Sequence, residues 1–288
     1  MAQHLLLAWR GRDFPDRRIF FSLMQDDGVW GEQAQLPGAL TGAYPLVSRI
    51  FDGYNVLTFK GEVPSEKRVF RSNVYGYNSF GAPFEVANIR SQWGLSLAAP
   101  PRLSSSTTSM GAWVGEGGQI WYATDSMHAR PEAIPGATSN HPPMLLNHRE
   151  VIYLFWRGRD NQHFYWSSLG ANGWGSPIGL TDRISSDVPA VTSFGNWLVM
   201  AWVGGGTDST LYYSVQNAAG WSAQRATPFK SAWRPTLAEF NGKLYMAWKG
   251  ENDPAIHWSF TTDGTRWSPE QTVPGAGTYS APSMAAYR

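Results

Sequence analysis

The stretch KLYMAWKG, residues 243–250, decides the fold, because related stretches recur through the whole chain. The other copies are LLLAWRG, NVLTFKG, SMGAWVG, IYLFWRG and LVMAWVG, which end at Gly11, Gly61, Gly115, Gly158 and Gly204. Each copy has an aromatic anchor two positions before its glycine. The anchors are Trp9, Phe59, Trp113, Trp156, Trp202 and Trp248. Successive anchors are 43 to 54 residues apart, so six copies fill the 288 residues and indicate an array of equal units.

Each copy has four parts, of which the anchor segment is the second. A proline introduces the first part: Pro45, Pro101, Pro143, Pro189, Pro235 and Pro282. The third part is a short aromatic run, such as FYWS from Phe164 or IHWS from Ile256. The fourth is marked by a further aromatic residue: Trp30, Phe80, Trp174, Trp221 and Trp267. The third copy lacks this residue and has DSMHARPEAIPG, residues 125–136, in its place.

Four short strands in each repeat of this length are typical of a propeller blade. The anchor segments are apolar at successive positions, as expected for strands that are buried on both faces. The chain begins with a second strand and ends with TYSAPSMAAYR, a first strand without a successor. We therefore predict an all-β fold, a single six-bladed β-propeller domain over residues 1–288. Each blade has four antiparallel strands, and the N- and C-terminal strands pair in one blade to close the ring.

The small residues before several anchors provide a further packing expectation. They are Ala8, Ala112, Ala201 and Ala247. Their size leaves room for an aromatic side chain from the adjacent blade.

Composition agrees with this fold and limits the partners. Aromatic residues make up 14% of the chain and charged residues only 16%, with 30 glycines and 19 prolines, which favours an all-β protein rich in turns. A net charge of +1 gives no general attraction to nucleic acid.

No apolar run approaches the roughly 20 residues of a membrane span, so we expect no membrane insertion. The N-terminus shows no signal peptide, and we expect a cytoplasmic protein or one secreted by a non-classical route. The oligomeric state is left open.

The loops after the second strands and the loops that lead into the next blade should share one face of a propeller. They carry charged side chains beside aromatic ones. The charged groups can form paired hydrogen bonds with sugar hydroxyls, and the aromatic rings can stack on a sugar ring. Trp93 and Trp233 lie outside the phase of the anchors and are the better aromatic candidates. Trp197 is also out of phase, but packing in a hairpin explains it equally well. The predicted ligand-binding residues are Arg10, Arg12, Asp13, Lys60, Glu62, Trp93, Arg157, Arg159, Asp160, Trp233, Lys249, Glu251, Asp253 and Tyr279.

Signs of catalysis are absent from the sequence patterns. No G-x-S-x-G, H-E-x-x-H or P-loop motif occurs, the six histidines are scattered, and there is no cysteine. We expect no metal and no cofactor.

Two alternatives to sugar binding stay open. One is a glycosidase or other small-molecule enzyme with a single site at the axial channel, suggested by the long, irregular loop NIRSQWGLSLAAPP, residues 88–101. The other is a protein-interaction scaffold or toxin-associated module.

The chain resembles the six-bladed propeller lectins of fungi and bacteria, including the fucose-binding type. That resemblance implies glycan partners and sites between blades, built from an Arg, a Glu and stacking aromatics. Arg10, Lys60, Arg157 and Lys249 are the plausible counterparts of the Arg, with Glu62 and Glu251 two positions later. Val114 and Val203 replace the cation in two copies, so only some of the six sites would function. TTDGTRW, residues 261–267, resembles the Asp box of sialidase-like propellers, which implies a stabilised hairpin turn and not a catalytic role.

Overall fold

The computed structural model describes residues 4–25, 27–50, 55–63, 65–75, 79–101, 109–124 and 130–287. These residues form 26 strands in six antiparallel sheets, and one 3₁₀ turn at Glu116–Gly118. In the described ranges, no helix is long and apolar enough to cross a membrane. The predicted six-bladed β-propeller is therefore confirmed.

The blades follow one another along the chain. Blade 1 contains β26 (Ser283–Tyr287), β1 (His4–Arg10), β2 (Arg18–Met24) and β3 (Ala34–Leu40); blade 2 contains β4 (Leu46–Arg49), β5 (Asn55–Lys60), β6 (Arg68–Asn73) and β7 (Phe84–Arg90). Blade 3 contains β8 (Ser96–Ala98), β9 (Met110–Val114), β10 (Gln119–Thr124) and β11 (Glu132–Thr138). Blade 4 contains β12 (Met144–His148), β13 (Val151–Arg157), β14 (His163–Gly170), β15 (Gly173–Trp174) and β16 (Ile178–Ile184). Blade 5 contains β17 (Ala190–Phe194), β18 (Trp197–Val203), β19 (Thr210–Asn217), β20 (Gly220–Trp221) and β21 (Arg225–Lys230). Blade 6 contains β22 (Thr236–Phe240), β23 (Lys243–Lys249), β24 (Ala255–Thr261) and β25 (Gln271–Gly277).

The two ends of the chain close the ring within blade 1. Strand β1 lies between β2 and β26, and both pairings are antiparallel. Leu7 lies opposite Ser22 on one side and Met284 on the other. Because β26 supplies the innermost strand of the blade that β1 to β3 begin, the ring has no open seam, as the sequence predicts.

The core is divided among the six interfaces between blades, and each interface buries one anchor. Trp9 packs between blades 6 and 1, Phe59 between blades 1 and 2, and Trp248 between blades 5 and 6. The small residue before one anchor shares its cluster with the anchor of the next blade, as Ala8 does with Phe59 and Ala201 with Trp248. The expectation that alanine makes room for the neighbouring aromatic is confirmed.

The glycine after each anchor is explained by the residue that covers it. A Cβ atom on Gly250 would overlap the carboxylate of Asp253, and one on Gly204 would overlap Asp208. These aspartates cap the following turn, because Asp253 accepts a hydrogen bond from the Ala255 N–H at 2.8 Å and Asp208 accepts one from Thr210 at 2.9 Å. The repeated glycine is therefore a steric requirement of the turn.

The outermost strands begin a few residues after the aromatic residues that were expected to mark the fourth part of each copy. Trp174 and Trp221 form only two-residue strands, and β16 and β21 complete these blades on the outside. Blade 3 has a full outer strand, β11, although its marker residue is missing. Several outer strands contain a proline, which has no backbone N–H to donate at the exposed edge of the sheet. This discourages pairing with a strand of another chain.

The third copy departs from the expected phase of its proline. Strand β8 precedes Pro101, whereas the other five prolines precede their strands, so Pro101 does not introduce the first strand of blade 3. Leu95 occupies the position of the proline. The segment NIRSQWGLSLAAPP is consequently not one long irregular loop, because it contains the end of β7, a five-residue loop and β8.

Replacing a single anchor should destabilise the whole ring. Trp248 is fully buried, so Trp248→Ala should lower the free energy of unfolding by about 3–5 kcal/mol through lost burial and a cavity. Urea unfolding followed by tryptophan fluorescence measures this loss. Trp197 is 45% exposed and is the matched control, for which we expect a loss of about 1 kcal/mol or less. Equal losses in the two variants would contradict the packing role of the anchor.

Candidate functional site

Six five-residue crossover loops join each outer strand to the next blade, and all six share one hydrogen-bonded turn. The loops are residues 41–45, 91–95, 139–143, 185–189, 231–235 and 278–282. Each begins with a Ser or Thr whose hydroxyl accepts a hydrogen bond from the N–H two residues later, at 3.0–3.2 Å. The backbone N–H of this first Ser or Thr donates to a carbonyl in the loop between the second and third strands of the preceding blade, at 2.8–3.0 Å. The two kinds of loop therefore meet on one face, which we call the crossover face.

The four cations that follow the anchors are bound to loop carbonyls. Arg10 Nε donates to Asp16 O at 3.0 Å and Lys60 Nζ to Val63 O at 2.7 Å. Arg157 Nε donates to Ser185 O at 2.7 Å, and Lys249 Nζ to Gly250 O and Asp253 O at 3.0 Å. Burial lowers the pKa of all four side chains. In this structure three of these cations stabilise the loops that follow them, and Arg157 stabilises the crossover loop that begins at Ser185.

The third residue after the anchor reaches the neighbouring blade in five of the copies. The contacts are Glu62 with Arg17, Glu116 with Lys67, Glu251 with Ser209, Arg159 with the carbonyl of Gly117, and Arg12 against Gly277. The Glu62 carboxylate lies 3.5 Å from Arg17, and Glu251 accepts the Ser209 hydroxyl at 2.5 Å. These side chains link adjacent blades at the surface, where each ion pair contributes about 0–1 kcal/mol.

The remaining predicted acids have different surroundings. Asp253 caps its turn and also lies 3.2 Å from His257 Nε2. Asp13 and Asp160 are exposed, and Asp160 is 4.0 Å from the Nε atom of Arg159. Only these last two acids of the predicted set present largely open carboxylates.

An exposed aromatic pair lies on the crossover face at blade 1. Phe14 is 69% exposed and Tyr279 is 43% exposed, with ring centroids 5.8 Å apart. The Arg10 guanidinium lies 5.4 Å from the centre of the Tyr279 ring, and Arg12 and Asp13 are exposed nearby in the chain. This group combines an apolar platform with charges at its edge.

Trp93 and Trp233 belong to an axial cluster with Tyr44, Leu46 and Ala281. Trp93 stacks between Tyr44, at 5.3 Å, and His141, at 6.0 Å, while its Nε1 donates to Asn140 O at 3.1 Å. Three successive blades thus contribute one ring each to a stack at the axis. The two tryptophans that were predicted to contact ligand are half-buried packing partners here.

The axial cluster also contains titratable groups that the sequence patterns did not single out. Burial raises the pKa of Tyr44, and the nearby Asp187 carboxylate raises it further. Burial lowers the pKa of His141, with Asp187 opposing and Arg157 and Arg234 reinforcing the shift. These surroundings therefore favour the neutral form of His141 at the axis.

A separate cavity of about 550 Å³ lies between blades 5 and 6, at the opposite end of the strands. Trp197 and Phe194 supply its aromatic wall. Arg225, Glu239 and Asp263 supply charge. The Arg225 side chain is exposed and has no hydrogen bond or ion pair with the described residues, and Glu239 accepts only the Gly195 N–H at 3.3 Å. We call this the 5/6 cavity.

The turn that resembles an Asp box forms one rim of the 5/6 cavity. Asp263 Oδ1 accepts hydrogen bonds from the backbone N–H groups of Thr265 and Arg266 at 2.8 Å and from the Thr261 hydroxyl at 2.9 Å. These bonds hold the Asp263 pKa well below its ordinary value. Tyr213 of blade 5 donates to Thr265 O at 2.9 Å, which ties the turn to the neighbouring blade. The box is a turn-forming element, as the resemblance implies.

Among the described residues, no group of three or more His, Asp or Glu side chains is placed to hold a metal ion.

Acidification should weaken the turn at Asp263. The folded-state pKa lies below the ordinary value of 3.8, so the ionised carboxylate stabilises the fold above that pH, and this stabilisation is lost as the pH falls through the folded-state pKa. Asn cannot titrate, so the difference in Tm between wild type and Asp263→Asn should shrink from about pH 5 to about pH 2. Thermal unfolding across this range tests the expectation. A pH-independent difference would contradict it.

Comparison with known proteins identifies the architecture. No protein-family model and no curated protein matches the sequence. Among solved structures, the chain is similar to TolB from Acinetobacter baumannii, with a TM-score of 0.61, 12% identity and coverage of 98% of this chain and 66% of TolB. It is similar to the Hadza microbial sialidase Hz136, with a TM-score of 0.60, 10% identity and coverage of 96% and 83%. It is also similar to the SapL1 lectin in complex with alpha methyl fucoside, with a TM-score of 0.58, 12% identity and coverage of 94% and 96%. The architectural resemblance to propeller lectins and sialidases is confirmed: the chain is a six-bladed β-propeller.

Proposed function

We propose that this protein is a carbohydrate-binding propeller with sugar sites between adjacent blades. The observation that carries the proposal is the 5/6 cavity, a preformed space of about 550 Å³ whose wall has an exposed tryptophan and an arginine without a partner among the described residues. This volume lies within the range of small-molecule sites, roughly 300–1,000 Å³. An indole face at 45% exposure in such a place supports stacking against the C–H face of a sugar ring.

The polar groups of the 5/6 cavity suit hydroxyl recognition. Arg225 offers a fork of N–H donors, and the carboxylates of Glu239 and Asp263 offer acceptors, which together match a pair of adjacent hydroxyls. Charged partners make these hydrogen bonds stronger than neutral ones. An Arg, a Glu and aromatics between two blades are also the groups that the lectin resemblance implies, although here they come from other positions than those predicted. SapL1, a lectin of the same architecture, adds fold-level support.

The crossover face is the second location in the proposal. Arg12, Asp13, Arg159, Asp160 and Tyr279 are exposed there. Most of the other predicted residues would act by shaping their loops, because they are bound to loop carbonyls, to a turn N–H group or to the neighbouring blade. Arg12 and Arg159 also contact the neighbouring blade but remain exposed. Tyr279 with Phe14 is the platform on this face that could stack on a sugar. Repeated weak sites on one ring would together give avidity for multivalent glycans.

A glycan array followed by calorimetric titration of the best-bound sugar tests the proposal. Trp197→Ala and Arg225→Ala should each weaken binding about tenfold or more, since each removes one of the main contacts. Tyr75 is exposed and belongs to neither proposed location, so Tyr75→Ala is the matched aromatic control and should leave the affinity unchanged. Absence of binding to any glycan at about millimolar concentration would refute sugar binding. Loss of binding in Tyr279→Ala but not in Trp197→Ala would refute the role of the 5/6 cavity.

A further inference from the structure

The innermost strands surround an axial channel, which shares Glu239 with the lining of the 5/6 cavity of the proposed sugar function and is otherwise lined by different residues. Its volume is about 850 Å³, and its walls come from β4, β8, β12, β17, β22 and β26. Hydroxyl groups fasten the walls, because Ser96, Thr236 and Ser283 accept hydrogen bonds from N–H groups of the next inner strand at 2.8–3.0 Å. The channel is therefore a rigid space and not a loosely packed seam.

Arg234 lines this channel at the end that the axial cluster closes. Its guanidinium stacks on Tyr44 of blade 2, with Cζ 4.7 Å from the ring centre, and Nη1 faces the Met144 sulfur of blade 4 at 3.8 Å. Arg234 itself enters blade 6, so these contacts with alternate blades place the guanidinium on the axis. The residue is only 1% exposed.

The guanidinium lacks a charged acceptor among the described residues, and the Tyr44 hydroxyl is an uncharged group that it approaches. Nε and Nη2 have no hydrogen-bond partner there, and the thioether of Met144 is a weak acceptor for Nη1. Asp187, which contacts the Arg234 backbone, uses Oδ1 to accept the Val188 N–H at 2.7 Å and Oδ2 to accept the Arg234 backbone N–H at 3.4 Å. No carboxylate among the described residues forms an ion pair with the guanidinium. A buried guanidinium stays charged, and such a charge without a partner is costly.

We infer that Arg234 is an anion-binding residue of the axial channel and that its ligand is a small monocarboxylate. The unpaired nitrogens form the planar fork that a carboxylate matches with two hydrogen bonds. A single negative charge fits best, because Asp187 lies close enough to raise the pKa of Tyr44 and would repel a multiply charged anion. This site is independent of sugar binding.

Acetate is the probe for this site. Calorimetric titration of the full chain with sodium acetate, at ionic strength matched with sodium chloride, should show one saturable site, and acetate should raise Tm beyond chloride. Arg234→Met keeps an apolar side chain of similar length and should weaken acetate binding about tenfold or more. Arg130→Met removes an exposed arginine and is the matched control, for which no change is expected.

Two results would overturn the inference. One is the absence of any acetate-specific effect at about 100 mM in the wild-type protein, and the other is an undiminished effect in Arg234→Met. If Arg234→Met failed to fold, crystals of the wild-type protein soaked in sodium acetate, compared with crystals soaked in sodium chloride, would decide. Difference density for a carboxylate beside the Arg234 guanidinium is expected, and its absence would refute the site. Sugar binding would be unaffected by either outcome.

Discussion

The structure depends on the burial of one large aromatic residue at every interface between blades. Trp156 packs into the cluster that contains Ala112 of the preceding blade, and Trp9 packs into the cluster that contains Ala247 across the closure. Since a blade has two apolar faces and no blade can cover both by itself, none of the six is stable without its neighbours. Pairing of β1 with β26 provides the last neighbour. The closure is therefore as much a part of the core as the anchors are.

This constraint also determines how the crossover face uses its charges. Strands that end against a neighbouring blade leave loop carbonyls that are partly shielded from water, and such groups need donors. Arg10 and Arg157 supply them, while the Ser or Thr that begins each crossover loop satisfies its own turn. Most of the polar residues that the sequence suggests as ligand-binding groups form these hydrogen bonds within the protein instead. The groups left for a ligand are those that no loop requires.

The fold could be predicted from the sequence because the repeat is carried by neighbouring residues in the chain. An anchor, the alanine before it and the glycine after it act locally, so their spacing reveals the blades and even the closure. The 5/6 cavity could not be predicted, because Trp197, Arg225, Glu239 and Asp263 are far apart in sequence and meet only when two blades pack. For Trp197, the sequence contains one signal, which is its position outside the phase of the repeated anchors. The role of Arg234 could not be predicted from the sequence either. It directly precedes a repeated proline, but the residues at this position in the other loops are of different types, so the repeat does not single it out.

The two cavities differ in a way that bears on enzyme and binding functions. On the axis, Arg234, Tyr44, Trp93 and His141 form a continuous stack that fills the crossover end of the channel. A sugar that entered the axial channel from the crossover face would have to displace this stack, and the rings are held by interactions from several blades at once. The 5/6 cavity needs no such rearrangement, because its tryptophan is already exposed and its arginine has no partner in the part of the chain that the structure describes. A preformed site avoids the cost of ordering its groups when the ligand arrives. This difference favours sugar binding between blades over catalysis at the axis, and it leaves the axis a site for a ligand small enough to fit beside the stack.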